Sequence, residues 1–364
     1  MIRRGTVASG LALVVASTTA CGAIERVRGE GDSSGDFSIS STLDQVPATD
    51  LEEYTVRVAD VGAATEAAGL ERPDDPADKD ATAQWLAPLT GVPAEDGYVP
   101  VPLHLPKLTV NSTRDLAAFD DLAGWSLVDV ASYADIPETP GPFTYIAGDV
   151  DDDTLAHLPE VGDGVRTVGE GEDGDGDLSQ SNAVQTTGAP VRMAQRDGQL
   201  AASDSTAAVK DWLTGPSEAL TADPTVSSLA GALDEAGAIS ALMSVGHDFS
   251  ANFLFVPVDA YGPLPHSEFD AVALGWSADD GEPVVTIAYH FADEAAANDS
   301  VESLRRVFEE GTDSRGARLS DSLALEEITA QGPVVTATLS TKTDRAHVDL
   351  ISQLSKREAP FVHD

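Results

Sequence analysis

One cysteine, Cys21, stands in 364 residues, so no disulfide can form within the chain and stability has to come from core packing. Basic residues are scarce as well: 21 Lys and Arg face 62 Asp and Glu, for a formal charge of −41. A surface of that sign repels phosphate backbones, which are bound by neutralising Lys and Arg, and this excludes nucleic acid as a partner. It equally repels an anionic bilayer, so membrane affinity has to come from something other than the folded body. Long apolar runs are missing too. A spanning helix needs about 20 apolar residues, and even the most apolar region, 239–258, is interrupted by His247, Asp248 and Asn252, which excludes a polytopic protein.

Familiar catalytic patterns are also missing. The seven histidines, His104, His157, His247, His266, His290, His347 and His363, include no pair at i, i+3 or i+4, and HExxH is absent, so a locally paired zinc site is not expected. Ser277 lies in Gly275-Trp276-Ser277-Ala278-Asp279, without the second glycine of a nucleophile elbow, and Ser244 lacks the first. There is no S-x-x-K, P-loop or dinucleotide fingerprint. An enzyme would need a site assembled from dispersed residues, and no cofactor is expected.

What is present begins at the N-terminus. Arg3 and Arg4 precede an apolar stretch, Val7 to Ala16, about half the length of a membrane span, and small residues then lead to Cys21. This is the layout of a signal peptide over 1–20. The run Thr18-Thr19-Ala20-Cys21-Gly22 resembles the lipobox of bacterial lipoproteins, with Thr18 where Leu is common. The resemblance implies a diacylglycerol on the Cys21 thiol, cleavage before it, and anchoring to the extracytoplasmic face of the cell membrane through the lipid. Ordinary secretion is the competing reading, but a lone thiol at the one place where a lipid would be attached favours lipidation. Segments such as Phe119 to Val130, with Phe143-Thr144 and Gly148-Asp149, resemble those of secreted actinobacterial lipoproteins. That similarity implies an envelope location and brings no activity with it.

Residues 21–50, rich in Gly, Ser and acids, read as a flexible tether. An irregular N-terminal subdomain is expected over 51–142, with a strand at Tyr54, Val56 and Val58, a helix from Val61 to Leu70, another near Ala81 to Leu89, and a proline-interrupted extended piece from Tyr98 to Val110. Beyond it, element order suggests two α+β modules, 143–258 and 259–364. Phe143 to Leu213 and Val284 to Leu354 each read strand, helix, hairpin, helix, with Asp149 to Leu158 as the first helix. Hairpins are expected across Arg196-Asp197-Gly198, Asp279-Asp280-Gly281 and Gln331-Gly332-Pro333. Ser205, Asp223 with Pro224, Asp293 and Thr343-Asp344 read as helix starts. Strands are expected at Ile239 to Val245 and Phe253 to Val258. The fold class is therefore α+β, with two stacked ferredoxin-like (split βαβ) modules after an irregular N-terminal region.

Asp149, Asp151, Asp153 and Glu160 have the 1, 3, 5 and 12 spacing of a calcium loop. Position 6 is Thr154 where that loop needs Gly, and the segment follows a strand, so the acids read instead as the first turn of a helix and no metal is assigned. A second acidic cluster, Glu170 to Asp177, reads as a solvated loop, and His247 beside Asp248 as a buried polar pair. Function is left as binding or scaffolding, with an envelope protein or glycan as partner. The alternative is a carrier holding a hydrophobic or small-molecule ligand, lipid included, in a cavity lined by Leu242, Phe253, Phe255 and Trp276. A hydrolase with a dispersed site is the third reading.

Overall fold

In the computed structural model, which describes residues 37–95, 97–110, 112–138, 141–251, 262–313 and 315–364, the chain builds one antiparallel sheet of twelve strands with helices on both faces. From the N-terminal side come α1 (Ile39–Leu43), β1 (Tyr54–Asp60), α2 (Val61–Ala67), α3 (Lys79–Leu89), α4 (Lys107–Val110) and α5 (Leu116–Ala123). Next are β2 (Val130–Ile136), β3 (Phe143–Gly148), β4 (Glu160–Gly162), β5 (Val165–Val168), β6 (Val191–Arg196), β7 (Gln199–Ser203), α6 (Thr206–Thr214) and α7 (Pro224–Glu235). Then follow β8 (Ser240–Val245), β9 (Phe269–Asp279), β10 (Glu282–Phe291), α8 (Glu294–Glu310), α9 (Leu319–Ser322), β11 (Leu323–Gln331), β12 (Val334–Thr341) and α10 (Ala346–Lys356). The class is α+β, as the sequence indicates.

Local chemistry accounts for most of these elements. The β6–β7 and β9–β10 hairpins close through Asp197-Gly198 and Asp280-Gly281, all four at positive φ, the paired left-handed geometry that matches strand twist. Gly332 supplies the positive φ that lets Pro333 close β11 onto β12. Ser205, Asp223 and Asp293 accept hydrogen bonds from Ala208 N, Thr225 N and Ala296 N, capping α6, α7 and α8.

The strand order is β11-β12-β10-β9-β8-β1-β2-β3-β7-β6-β5-β4. It contains the same pattern twice. Counted outward from the central β1–β8 pair, β1-β2-β3-β7-β6 mirrors β8-β9-β10-β12-β11, and in each half the last hairpin strand inserts beside the third strand. The helices do not follow the repeat. α8 and α10 send Leu304, Phe308, Leu350 and Leu354 into the core on one face, whereas α6 sends Val209 and Trp212 into the core on the other.

Several expectations are corrected. Two stacked modules are not seen: the strands of 143–258 and 259–364 lie in one continuous sheet, and β8, expected with the first group, sits between β9 and β1. Residues 51–142 are no separate subdomain, since β1 and β2 lie in the middle of that sheet. Asp149 to Leu158 forms successive turns, each closed by an i to i−3 bond such as Ala156 N to Asp153 O, and not a helix. Three consecutive aspartates, Asp151 to Asp153, repel one another and favour turns, while Leu155 and Leu158 hold the segment to the core. α10 begins at Ala346 without a side-chain cap, past Thr343-Asp344. The expected strand at 253–258 and Met1 to Cys21 lie outside the described residues.

Of the tether expected over 21–50, residues 21–36 lie outside the described residues, and the part from 37 onward is docked on the fold. Ile39, Leu43 and Val46 are fully buried, and Asp234 of α7 accepts from Ile39 N at 2.6 Å and Ser40 N at 3.1 Å, neutralising the first turn of α1. Leu43→Ala is therefore expected to destabilise the fold by about 2–5 kcal/mol, the range for emptying a buried leucine site. Urea unfolding measures this, and an unchanged midpoint would place α1 outside the core.

Candidate functional site

The residue row that crosses the join between the two halves sets up the site. On one face of the sheet, strand register aligns Ile287, Leu274, Leu242, Arg57, Asp135 and Thr144 side by side on β10, β9, β8, β1, β2 and β3. Apolar side chains thus give way at the join to a buried polar group. Asp135 is fully buried. It accepts from Thr144 Oγ1 at 2.8 Å and Lys107 N at 3.2 Å, and Arg57 Nη1 stands 3.5 Å from its Oδ2. Burial pushes this carboxyl up to about 6, against the pull of those donors. Arg57 also donates to Leu105 O at 3.0 Å, which fixes the extended segment before α4 over the sheet. Next to it, Glu138 accepts from Thr55 N at 3.0 Å while its Oε2 is enclosed without a partner.

Above this row lies a cleft of about 580 Å³. Its floor is Thr55 and Arg57 of β1 with Leu242 and Ser244 of β8. Leu103, His104 and Leu105 make one wall, and Ile351, Leu354, Ser355 and Arg357 at the end of α10 the opposite one, with His247 and Phe249 beside them. The prolines expected to keep 98–110 out of a central strand do so: the segment runs extended to Pro106 and contributes wall instead of sheet.

His104 packs its ring against Trp276 at 5.0 Å, and its Nε2 is enclosed without a partner. Desolvation, followed by the nearby Arg57 charge, pushes this imidazole down to about 4, so it is neutral at physiological pH. His247 Nδ1 stands 3.2 Å from Glu53 Oε2 without hydrogen-bond alignment. The expected His247–Asp248 pair does not form, because Asp248 is exposed and caps the next turn, accepting from Ser250 N at 2.8 Å.

Of the residues foreseen as cavity lining, Leu242 lines the cleft. Trp276 is fully buried behind His104 and donates from Nε1 to His347 O at 3.1 Å. Phe253 and Phe255 lie outside the described residues. Asp149, Asp151 and Asp153 are exposed, and Glu160 turns to Gly164 N at 3.3 Å and Arg166 at 3.9 Å. Among the described residues, no group of three His, Cys, Asp or Glu side chains could hold a metal ion.

Arg57 and Asp135 escaped the sequence reading. The signal was there only in part: Arg57 occupies a polar position of the Tyr54-Val56-Val58 alternation, where it reads as an ordinary solvent-facing residue, and its partner lies 78 positions on, in a strand with no clear period.

The wall composition is the chemical finding. In a chain with 62 acidic residues, none of the sixteen residues lining the cleft is Asp or Glu. Two are arginines, two are histidines, five carry hydroxyls and seven are apolar. A second cavity of about 400 Å³, by contrast, has Glu302 and Asp364 in its wall. The arrangement suits a molecule with an apolar body and a head that accepts hydrogen bonds. It offers no nucleophile and base within bonding reach of one another.

Two groups of the site give opposed pH signatures. Unfolded, Asp135 ionises near 3.8, whereas the fold keeps its proton to about 6, so its contribution to stability falls as pH rises through that window. Unfolded, His104 protonates near 6.5 but in the fold only near about 4, so its contribution is complete above 6.5 and is lost as pH falls. Urea unfolding between pH 4 and 7 is expected to show less acid destabilisation in His104→Gln and more in Asp135→Asn, each by ~3 kcal/mol at most. Parallel curves for wild type and both variants would contradict this.

No family model matches the sequence, and no curated protein matches it. Among solved structures the chain is similar to one titled "Structure of crystal form I of TP0453", at 11% identity and a TM-score of 0.39, over 86% of this chain and 97% of that one.

Proposed function

We propose that this chain is a lipid-anchored protein of the extracytoplasmic membrane face that carries an amphiphilic ligand in the cleft where β1 meets β8. The carboxylate-free wall of that cleft is the observation that carries the reading. Partner binding and ligand carriage were both open from sequence, and a concave, partly apolar site of about 580 Å³ favours carriage. In this reading acyl chains on Cys21 hold the protein to the bilayer, and the acidic body stands off from anionic headgroups. Among the described residues no helix is long and apolar enough to cross a membrane, which is compatible with a lipid anchor. We read the two halves of the sheet as divergent copies of a split βαβ module; the repeated strand order supports this, and the different placement of α6 and α10 marks the divergence.

Native mass spectrometry of the protein taken from its own membrane tests carriage. The expected result is a mass above the acylated polypeptide that disappears on organic extraction; a bare acylated mass counts against it. The anchor is tested separately. Cys21→Ser is expected to release the protein from the membrane fraction and to remove the acyl mass, and a variant that stays membrane-bound would rule the anchor out.

A further inference from the structure

Resting on the carrier reading, we infer that the cleft selects a single-chain amphiphile with an anionic head, a carboxylate or a phosphate monoester, through Arg57 and Arg357, while Leu105, Leu242, Phe249 and Ile351 take the chain. Three observations converge on this. The first is the composition of the wall. Acidic residues outnumber basic ones by 62 to 21 in this protein, yet the cleft lining carries two guanidinium groups and no carboxylate. Guanidinium forks bind carboxylate and phosphate through paired donors, which a neutral head cannot match.

The second is pre-organisation. Arg57 is held on one side by Asp135 and on another by Leu105 O, and its side chain keeps 27% of its exposure. An arginine already ordered in the free protein loses little further entropy on binding. Asp135 balances its charge without competing in the cleft, because that carboxylate is fully buried below the floor. The third is His104. Its ring lines the cleft against Trp276 with Nε2 enclosed, and desolvation keeps it neutral, so it offers a neutral ring surface to the chain and leaves the charge of the site to the two arginines.

The net charge of −41 opposes any anion approaching from a distance. At physiological salt that field is screened over about 8 Å, whereas contacts inside a walled cleft are screened much less. The local arginines therefore decide the affinity and the global charge slows only the approach.

The test uses the full acylated chain in nanodiscs of zwitterionic phosphatidylcholine, with empty discs as the blank. Labelled dodecanoate, dodecyl phosphate and dodecanol are titrated, and acetate and inorganic phosphate serve as competitors. Both anionic amphiphiles are expected to bind about tenfold tighter than dodecanol, the scale of a charge-assisted hydrogen bond. Arg357→Asn, in which asparagine suits the left-handed backbone at φ 53°, and Arg57→Lys, which keeps a charge beside Asp135, are each expected to shrink that margin. Equal binding of dodecanol and dodecanoate, unchanged in both variants, overturns the head-group assignment and leaves the carrier reading standing. Displacement by acetate or phosphate alone also overturns it, by showing a small-anion site. If none of the three amphiphiles binds, this inference fails, and the carrier reading fails with it only where the native mass is bare as well.

Discussion

A carboxylate with no exposure sits in the middle of the sheet, and much of the structure follows from keeping it there. Removing a carboxylate from water costs several kcal/mol unless donors replace the water. Asp135 has three from separate parts of the chain: Thr144 on the next strand, the backbone of Lys107, and Arg57 across the strand pair. This is weak evidence for stability, since an apolar row would pack as well, but it is strong for register. A one-residue slip of β1 would carry Arg57 to the opposite face, among Tyr54, Val56 and Val58, and leave Asp135 uncompensated. Because β1 also pairs with β8, the same constraint aligns the two halves of the sheet.

The faces of the sheet are built from different side chains, and the difference decides where space remains. Under α7 the strands present Ala241, Ala271, Ala273, Gly275 and Ala288. The helix lies so near that a Cβ on Gly275 would stand 2.8 Å from Leu233 Cδ2 and 2.9 Å from Ala238 Cβ. Over these strands the face is closed by contact between small residues and α7. The opposite face carries Val272, Leu274, Trp276, Ile287, Tyr289 and Phe291, and it is covered by helices and by an extended segment. A cover of unlike pieces over large side chains meets imperfectly, and the cleft lies where the 103–105 segment and the end of α10 fail to touch.

What could be read from sequence was whatever is encoded locally. Asp-Gly pairs marked two hairpins, and Asp223-Pro224 marked the start of α7, because a turn or cap depends on the residues that form it. The same logic misled at 149–158, where acids suited to a helix start also suit a string of turns. Nothing local in β1 says that it sits at the centre of the sheet, since its partners lie more than 70 positions ahead in β2 and some 180 ahead in β8. Residues 37–50 were read as tether for a related reason: Ile39 and Leu43 are too few to give a period, and only docking against α7 reveals their role. The cleft was half legible. Leu242 was placed on it, but its polar floor depends on a pairing that no spacing rule predicts.

The repeat explains why the cleft is at the join. Two halves with the same strand order meet at β1 and β8, and each brings its own covering elements, which need fit only within that half. At the meeting line the cover comes from both: the extended 98–106 segment and α3 from one half, α10 from the other. On the other face α1 and α7 bridge the line directly, with Asp234 tying one to the other. Had α6 followed the repeat and lain on the same face as α10, the cover over the cleft would have been symmetric. Its departure to the other face leaves that cover to an irregular proline-bearing segment, whose backbone carbonyl at Leu105 is free to accept from Arg57. The interaction that fixes the register of the sheet is thus also the one that holds the wall of the cleft, and the broken symmetry of the helices gives it that second role.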